Sequence, residues 1–490
     1  MQLPHFRRWP GALVWVVAGG FLIWPCGAQA SQVQLAPCHL EDLSEELLCG
    51  TLAVPEDREA EGGRELQLNI AVAPAKGASA APDPVFVLAG GPGQGATEIV
   101  GHAVRALDDV REKRDLVFVD QRGTGRSNPL DCPSEGILEL LSASGLPLEQ
   151  IEDCRDHLLE EADLSLYTTF HAMPDLEAVR QALGYGPINL WGVSYGTRAA
   201  MVFQQLFPDS TRSVVLDGMA PFGVKLPVHN AREAQRALDH WFEACAGDTA
   251  CAARYPNLRE TWNDLLAQLE AEPREITLDH PRTMESLNLT VTRDLMAGFL
   301  RGILYNAELS ATVPFLIERA AQGDLTPILT VGLRFLGGVQ KTMSVGMMFS
   351  VLCPEDLSRI EPGEMEALAQ GTFLGIAGSQ EMFEVCEVWP KADLPEGFEQ
   401  LAESAVPALL LSGDLDPVVP PVWGEATAEF LTNSLHVVVP HVGHNVSHVG
   451  CVPSLITQFL EQASVADLDA SCVNDVVRPA FTHGFAGPMP

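Results

Sequence analysis

The chain has 490 residues, 47% of them hydrophobic and 19% charged, with a formal net charge of −35. That is ample apolar material for a large packed core, and no long biased tract points to disorder. The excess of acid repels phosphate backbones and anionic lipid alike, which argues against nucleic acid and a membrane surface as partners.

Arg7 and Arg8 precede an apolar run over residues 11–24, closed by Pro25, and Ala28-Gln29-Ala30 places small residues where a signal peptidase reads. Residues 1–30 are therefore expected to be a secretory signal peptide, with the mature chain secreted or periplasmic. The run is broken by Gly19 and Gly20 and is shorter than the about 20 residues a spanning helix needs. Of the 11 cysteines, Cys26 falls in this leader, which leaves an even number. These form sequence-local couples, Cys38/Cys49, Cys132/Cys154, Cys245/Cys251, Cys353/Cys386 and Cys451/Cys472. Short disulfide loops closed in an oxidising compartment are the economical expectation. A zinc site of the CxxC kind has no matching spacing, so no metal is expected.

Beyond the leader, strand-like apolar runs alternate with helical patterns. Strands are predicted over residues 66–73, 85–89, 116–120, 188–191, 214–217, 408–411 and 436–439. Helices are predicted over residues 175–183, opened by Pro174, and 197–207. Such alternation implies βαβ units, hence a mostly parallel sheet with helices on both faces, and runs without polar alternation fit strands covered on both sides. Between residues 221 and 406 helical segments dominate (231–245, 258–269, 295–305, 313–322), with isolated strand signals at 276–278 and 287–291. The expected organisation is an α/β core in two parts, 31–220 and 407–490, interrupted by a helical cap over 221–406.

The chemistry concentrates after three of these strands. Gly192-Val193-Ser194-Tyr195-Gly196 is the only GxSxG of the chain and lies between a predicted strand and a predicted helix. A sharp turn there would lift the Ser194 hydroxyl above the sheet as a nucleophile. A serine needs a base to take its proton. Downstream, Ser412-Gly413-Asp414-Leu415-Asp416-Pro417 follows a strand, and Asp416 is preferred over Asp414 as the acid that orients an imidazole. His436, His441, His444 and His448 cluster around the last strand, and His444, in a loop after Gly443, suits the base. The oxyanion hole is expected from the amide of Tyr195 and that of Gly91 or its neighbour Gly90, in the glycine-rich loop after an earlier strand. That loop lacks the Lys-Ser/Thr of a phosphate cradle.

Ala89-Gly90-Gly91-Pro92-Gly93-Gln94, Asp120-Gln121-Arg122-Gly123-Thr124-Gly125-Arg126-Ser127, Gly192–Gly196 and Gly413–Pro417, in this order, resemble the proline iminopeptidase / tripeptidyl aminopeptidase family of α/β hydrolases. The resemblance runs from about Thr51 to Cys451, loosely through the middle, and implies an α/β-hydrolase fold with Ser194, Asp416 and His444 as the triad. Ala89 stands where many members carry His, which departs from the narrow prolyl subgroup. In that family acidic cap residues hold the substrate's N-terminal amine. Glu355 and then Asp356 are the candidates here, since carboxylates bind an ammonium by charge-assisted hydrogen bonds.

The function expected from these residues is a secreted serine aminopeptidase working through an acyl-enzyme, with no cofactor. The alternative is an esterase or other small-molecule hydrolase on the same scaffold, because fold does not fix substrate. A catalytically silent binding protein is argued against by the presence of all three triad candidates.

Overall fold

Runs such as Val85–Leu88 and Ile188–Val193 are apolar from end to end, and strands of that kind are stable only when both faces are covered. The structure, a computed structural model, describes residues 33–41, 43–132, 148–281 and 283–487; the expected leader and Cys26 lie outside the described residues. The strands are β1 (Ala36–Cys38), β2 (Leu47–Pro55), β3 (Glu65–Ala73), β4 (Val85–Leu88), β5 (Leu116–Val119), β6 (Ile188–Val193), β7 (Thr211–Asp217), β8 (Arg274–Asp279), β9 (Ser286–Val291), β10 (Ala408–Gly413) and β11 (Ser434–Val439). Nine of them make one sheet in the order β1-β2-β3-β5-β4-β6-β7-β10-β11. From β5 to β11 all neighbours pair parallel, while β1, β2 and β3 add an antiparallel end. β4, β5, β6 and β10 are buried at every position, as their composition requires.

Among the helices are α1 (Val100–Ala106), α2 (Leu148–Glu161), α3 (Thr169–Ala182), α4 (Tyr195–Leu206), α5 (Asn230–Gly247), α6 (Leu258–Ala271), α7 (Arg293–Ile303), α8 (Val313–Ala321), α9 (Thr326–Lys341), α10 (Val345–Glu355), α11 (Ala377–Val388) and α12 (Val452–Gln462). Two hydrophobic cores cover the sheet, one under α3 and α4 and one under α1 and α12. The stretch from α5 to α9 has a third core of its own, built from Trp241, Trp262, Phe299 and Leu329. The β8–β9 hairpin belongs to this stretch and pairs only with itself.

All five sequence-local cysteine couples are closed as disulfides. The chain end does not stop at the sheet. After Cys472 it crosses to the helical stretch, where Phe481 is buried against Trp241 with ring centroids 5.9 Å apart. Arg478 there pairs with Asp248 at 3.0 Å, and the Tyr255 hydroxyl donates to the Thr482 carbonyl at 2.9 Å.

One helix starts earlier than its sequence suggests. Pro174 reads as an opening residue, yet α3 begins at Thr169 and holds Pro174 inside. The reason is a cap from far away in the chain: the Thr169 amide donates to Glu355 at 2.7 Å. Thr168, the N-cap residue, is the local sign of this start.

No helix among the described residues is long and apolar enough to cross a membrane.

Candidate active site

The sheet order places the site. After β4 the chain moves to β5 on one side and then returns to β6 on the other, so the loops leaving β4 and β6 diverge at a topological switch point. Open α/β sheets bind ligands in the crevice at that point, outside the carboxyl ends of the strands. The loop after β4 carries Gly90–Gly95, and the turn after β6 is Ser194.

Ser194 has φ 54° and ψ −125°, a conformation that is strained for a residue with a Cβ. Close packing on both sides enforces it. A Cβ on Gly192 would lie 2.3 Å from the Gly196 carbonyl oxygen, and one on Gly196 would lie 2.2 Å from that of Leu88. Only glycine fits at either position, so the spacing of the motif is a steric consequence of a strand turning at once into α4. The amide of Tyr195, the first residue of α4, belongs to the helix-start donors that lack an intrahelical acceptor. Gly90 faces Ser194: its own Cβ, if present, would sit 3.2 Å from that of Ser194. Gly91, next along, lies on the side of Met343. The loop is braced from outside. Asp120, the last residue before the β5 turn, accepts from the Thr97 amide at 2.8 Å, the Thr97 hydroxyl at 2.9 Å and the Arg126 amide at 3.0 Å. Arg122 of the same turn is fully buried on Asp175, with bonds of 2.7 and 2.9 Å. The Asp120–Ser127 signature is thus architectural.

Asp416 and His444 meet in the crevice. The imidazole Nδ1 lies 2.7 Å from Asp416 Oδ2, while Oδ1 accepts from the amides of Val418 at 2.8 Å and Val419 at 2.9 Å. Asp414 takes no part in this pair. Burial works to raise the Asp416 carboxyl, but the neighbouring imidazole and the two amides outweigh it and hold it below the usual carboxylate range. For His444 burial works downward, and Asp416 reverses that, leaving the imidazole above an ordinary histidine. The Tyr305 ring stacks edge-on at 5.2 Å, and its carbonyl accepts from the His444 amide at 2.8 Å. The other histidines lie elsewhere: His436 is 3.0 Å from the Ser412 hydroxyl, and His448 packs on His102 at 5.3 Å. Among the described residues no group of three or more His, Cys, Asp or Glu is arranged to hold a metal.

The proposed amine ligands require correction. Glu355 and Asp356 have no exposed surface, and their oxygens are already engaged. Arg198 donates to Asp356 through two bonds of 2.9 Å and to Glu355 at 3.3 Å. Glu355 also takes the Thr169 amide and, at 2.9 Å, its hydroxyl, which is 2.7 Å from the Tyr195 hydroxyl. The two carboxylates belong to an internal ion cluster under α4, which Arg359 joins at 3.4 Å from Asp356, closed to an incoming ammonium. The sequence contained one hint of it. Arg198 follows Ser194 by one helical turn as the one charged residue of a mostly buried helix, and a cation there must find acid inside the protein. Removing it would leave Glu355 with only its Thr169 donors and Asp356 with only Arg359 at 3.4 Å, so Arg198→Met is expected to cost about 3–5 kcal/mol. The loss should grow from pH 5 to pH 8, because burial already pushes the Glu355 carboxyl up and the variant removes the cation that opposes it, so the folded state keeps a proton that the unfolded chain has released. Urea unfolding at the two pH values measures this, and an unmoved midpoint would show that Arg198 does not hold the cluster.

A strained serine at a strand–helix elbow, Gly90 packed against it and a buried Asp–His pair fit a serine hydrolase site. The family model for the alpha/beta hydrolase fold matches residues 83–450, and the chain belongs to that family. Its relatives bear out the resemblance read from the motifs. It is 24% identical over 487 residues to the serine protease Hip1 of Mycobacterium tuberculosis, covering 90% of this chain and 91% of that one. It is 28% identical over 234 residues to the tripeptidyl aminopeptidase of Streptomyces lividans, covering 44% of this chain and 42% of that one. A third relative, the proline iminopeptidase of Xylella fastidiosa, is 29% identical over 136 residues, covering 28% and 32% of the two chains.

Proposed function

We propose that the protein is a serine peptidase that removes residues or short peptides from free N-termini in an oxidising compartment outside the cytoplasm. The observation that carries the catalytic part is the 2.7 Å Asp416–His444 pair at the switch point that also presents Ser194. In this reading His444 takes the Ser194 proton as the hydroxyl attacks the scissile carbonyl. The oxyanion is held by the amide of Tyr195 and an amide of the Gly90–Gly91 turn. The same imidazole protonates the leaving amine, and water then releases the acyl group by the reverse proton path. The relatives' names support peptide bonds as the target, and five closed disulfides support export.

The burial of Glu355 and Asp356 favours a second reading, an esterase on the same scaffold, because it removes the acids first assigned to the substrate amine. A matched panel of free and N-acylated peptide amides, with short acyl esters beside it, separates the two. An aminopeptidase should lose roughly 10- to 100-fold in kcat/KM when the amine is blocked, the worth of a charge-assisted hydrogen bond. Equal cleavage of blocked and free peptides removes the aminopeptidase assignment and leaves the triad standing.

A further inference from the structure

Asp217 ends β7 and is completely buried, yet it touches both halves of the catalytic centre. Its carbonyl accepts from the Ser194 amide at 2.9 Å. Its carboxylate accepts from the Val446 amide at 2.9 and 3.0 Å, the Ser447 amide at 2.8 Å and the Ser447 hydroxyl at 2.6 Å. These successive amides converge on one anion, as in an anion-binding nest. They follow directly on His444 and on Asn445, which is left-handed at φ 67°. The Ser447 hydroxyl is itself met by the Trp191 indole N–H at 3.0 Å, from β6. The next residue, Gly218, would bring a Cβ within 3.2 Å of His444 Cε1, so the imidazole lies over this strand end.

We propose that Asp217 is a positioning residue, which ties the His444 loop to the strand end that also holds the Ser194 backbone. The inference rests on the triad reading above. Replacing the carboxylate by a carboxamide leaves one oxygen for the Val446 and Ser447 donors and turns an NH2 onto the Val446 amide, so donor meets donor and the loop must shift. A displacement of the base by about 1 Å is enough to cost on the order of 10²-fold in rate. The charge acts too. His444 is faced by Asp416 from the β10 loop, by Asp217 from β7, by Arg301 from α7 and by the Tyr305 ring. Burial lowers it, and the two acids raise it. Burial pushes the Asp217 carboxyl up, and the Ser447 and Val446 donors and His444 work against that; in its ionised form it holds the proton on the imidazole, so its loss should let that proton go more readily.

The test is the rate of labelling by a fluorophosphonate probe, which needs no knowledge of the substrate, followed across pH with the melting temperature alongside. Asp217→Asn is expected to label about 10²-fold more slowly, with the acid limb of its profile moved to lower pH. Asp217→Glu, which keeps the charge and shifts its place, should be slowed with the acid limb unmoved. If Asp217→Asn melts lower but labels at the wild-type rate with the wild-type limb, the residue is only structural and the proposal is overturned. Should neither variant fold, Ser447→Ala reads the clamp from its other side, and labelling at the wild-type rate overturns the proposal equally. An unlabelled wild-type protein sinks the triad reading and this inference with it; a labelled wild type beside an equally fast Asp217→Asn sinks this inference alone.

Discussion

Ser194→Ala is expected to abolish fluorophosphonate labelling and to lower kcat by about 10⁶-fold, the loss seen when the nucleophile of a serine triad is deleted. The melting temperature should move by no more than a few degrees. Neither the strained turn nor its support uses the hydroxyl. The Ser194 amide is held by the Asp217 carbonyl at 2.9 Å, and its own carbonyl accepts from the Thr197 amide at 2.9 Å and hydroxyl at 2.6 Å. The glycines on either side still forbid any other path for the backbone. Folded, monodisperse Ser194→Ala that keeps reacting with the probe would place the nucleophile elsewhere and undo the functional reading.

The parts of this molecule that could be read from its sequence share a physical property: their signals are local. β4, β6 and β10 are buried on both faces, so nothing interrupts their apolar runs. β2 was not legible, because it holds Gly50 and Pro55 and alternates between buried and exposed positions near the edge of the sheet. The disulfides close loops of 6 to 33 residues, so neighbouring cysteines identified each other. The candidates Ser194, Asp416 and His444 each sit in a loop or turn just past a strand, where a polar residue among glycines stands out. Glu355 was misread because its partner is remote. Nothing within its own helix reveals Arg198, 157 residues earlier, or Thr169, 186 residues earlier. The same remoteness hid the docking of Phe481 among the α5–α9 helices. Asp217 also went unnoticed, although an acid closing an apolar strand is itself a signal, since a buried carboxylate must find donors.

Asp416→Asn tests the geometry of the pair rather than its presence. In the wild type the carboxylate divides its labour: Oδ1 holds the amides of Val418 and Val419, and Oδ2 receives the His444 Nδ1 proton. An asparagine keeps its carbonyl oxygen on the two amides, because an NH2 group there would meet donors. Its NH2 then faces Nδ1, which must become an acceptor, and the proton moves to Nε2, the nitrogen needed to receive the serine proton. This wrong tautomer is worth about 10⁴-fold in kcat. The pH profile should change in a definite direction. In the proposed mechanism the base works only when neutral, so activity should fall as pH drops through the imidazole pKa, which Asp416 holds above that of an ordinary histidine. Removing the negative charge lowers that pKa, so the acid limb of kcat/KM moves to lower pH while the plateau collapses. A variant with a wild-type plateau would assign the orienting role to another acid, with Asp414 the nearest in sequence, and a reduced plateau with an unmoved limb would show that Asp416 does not set the charge of His444.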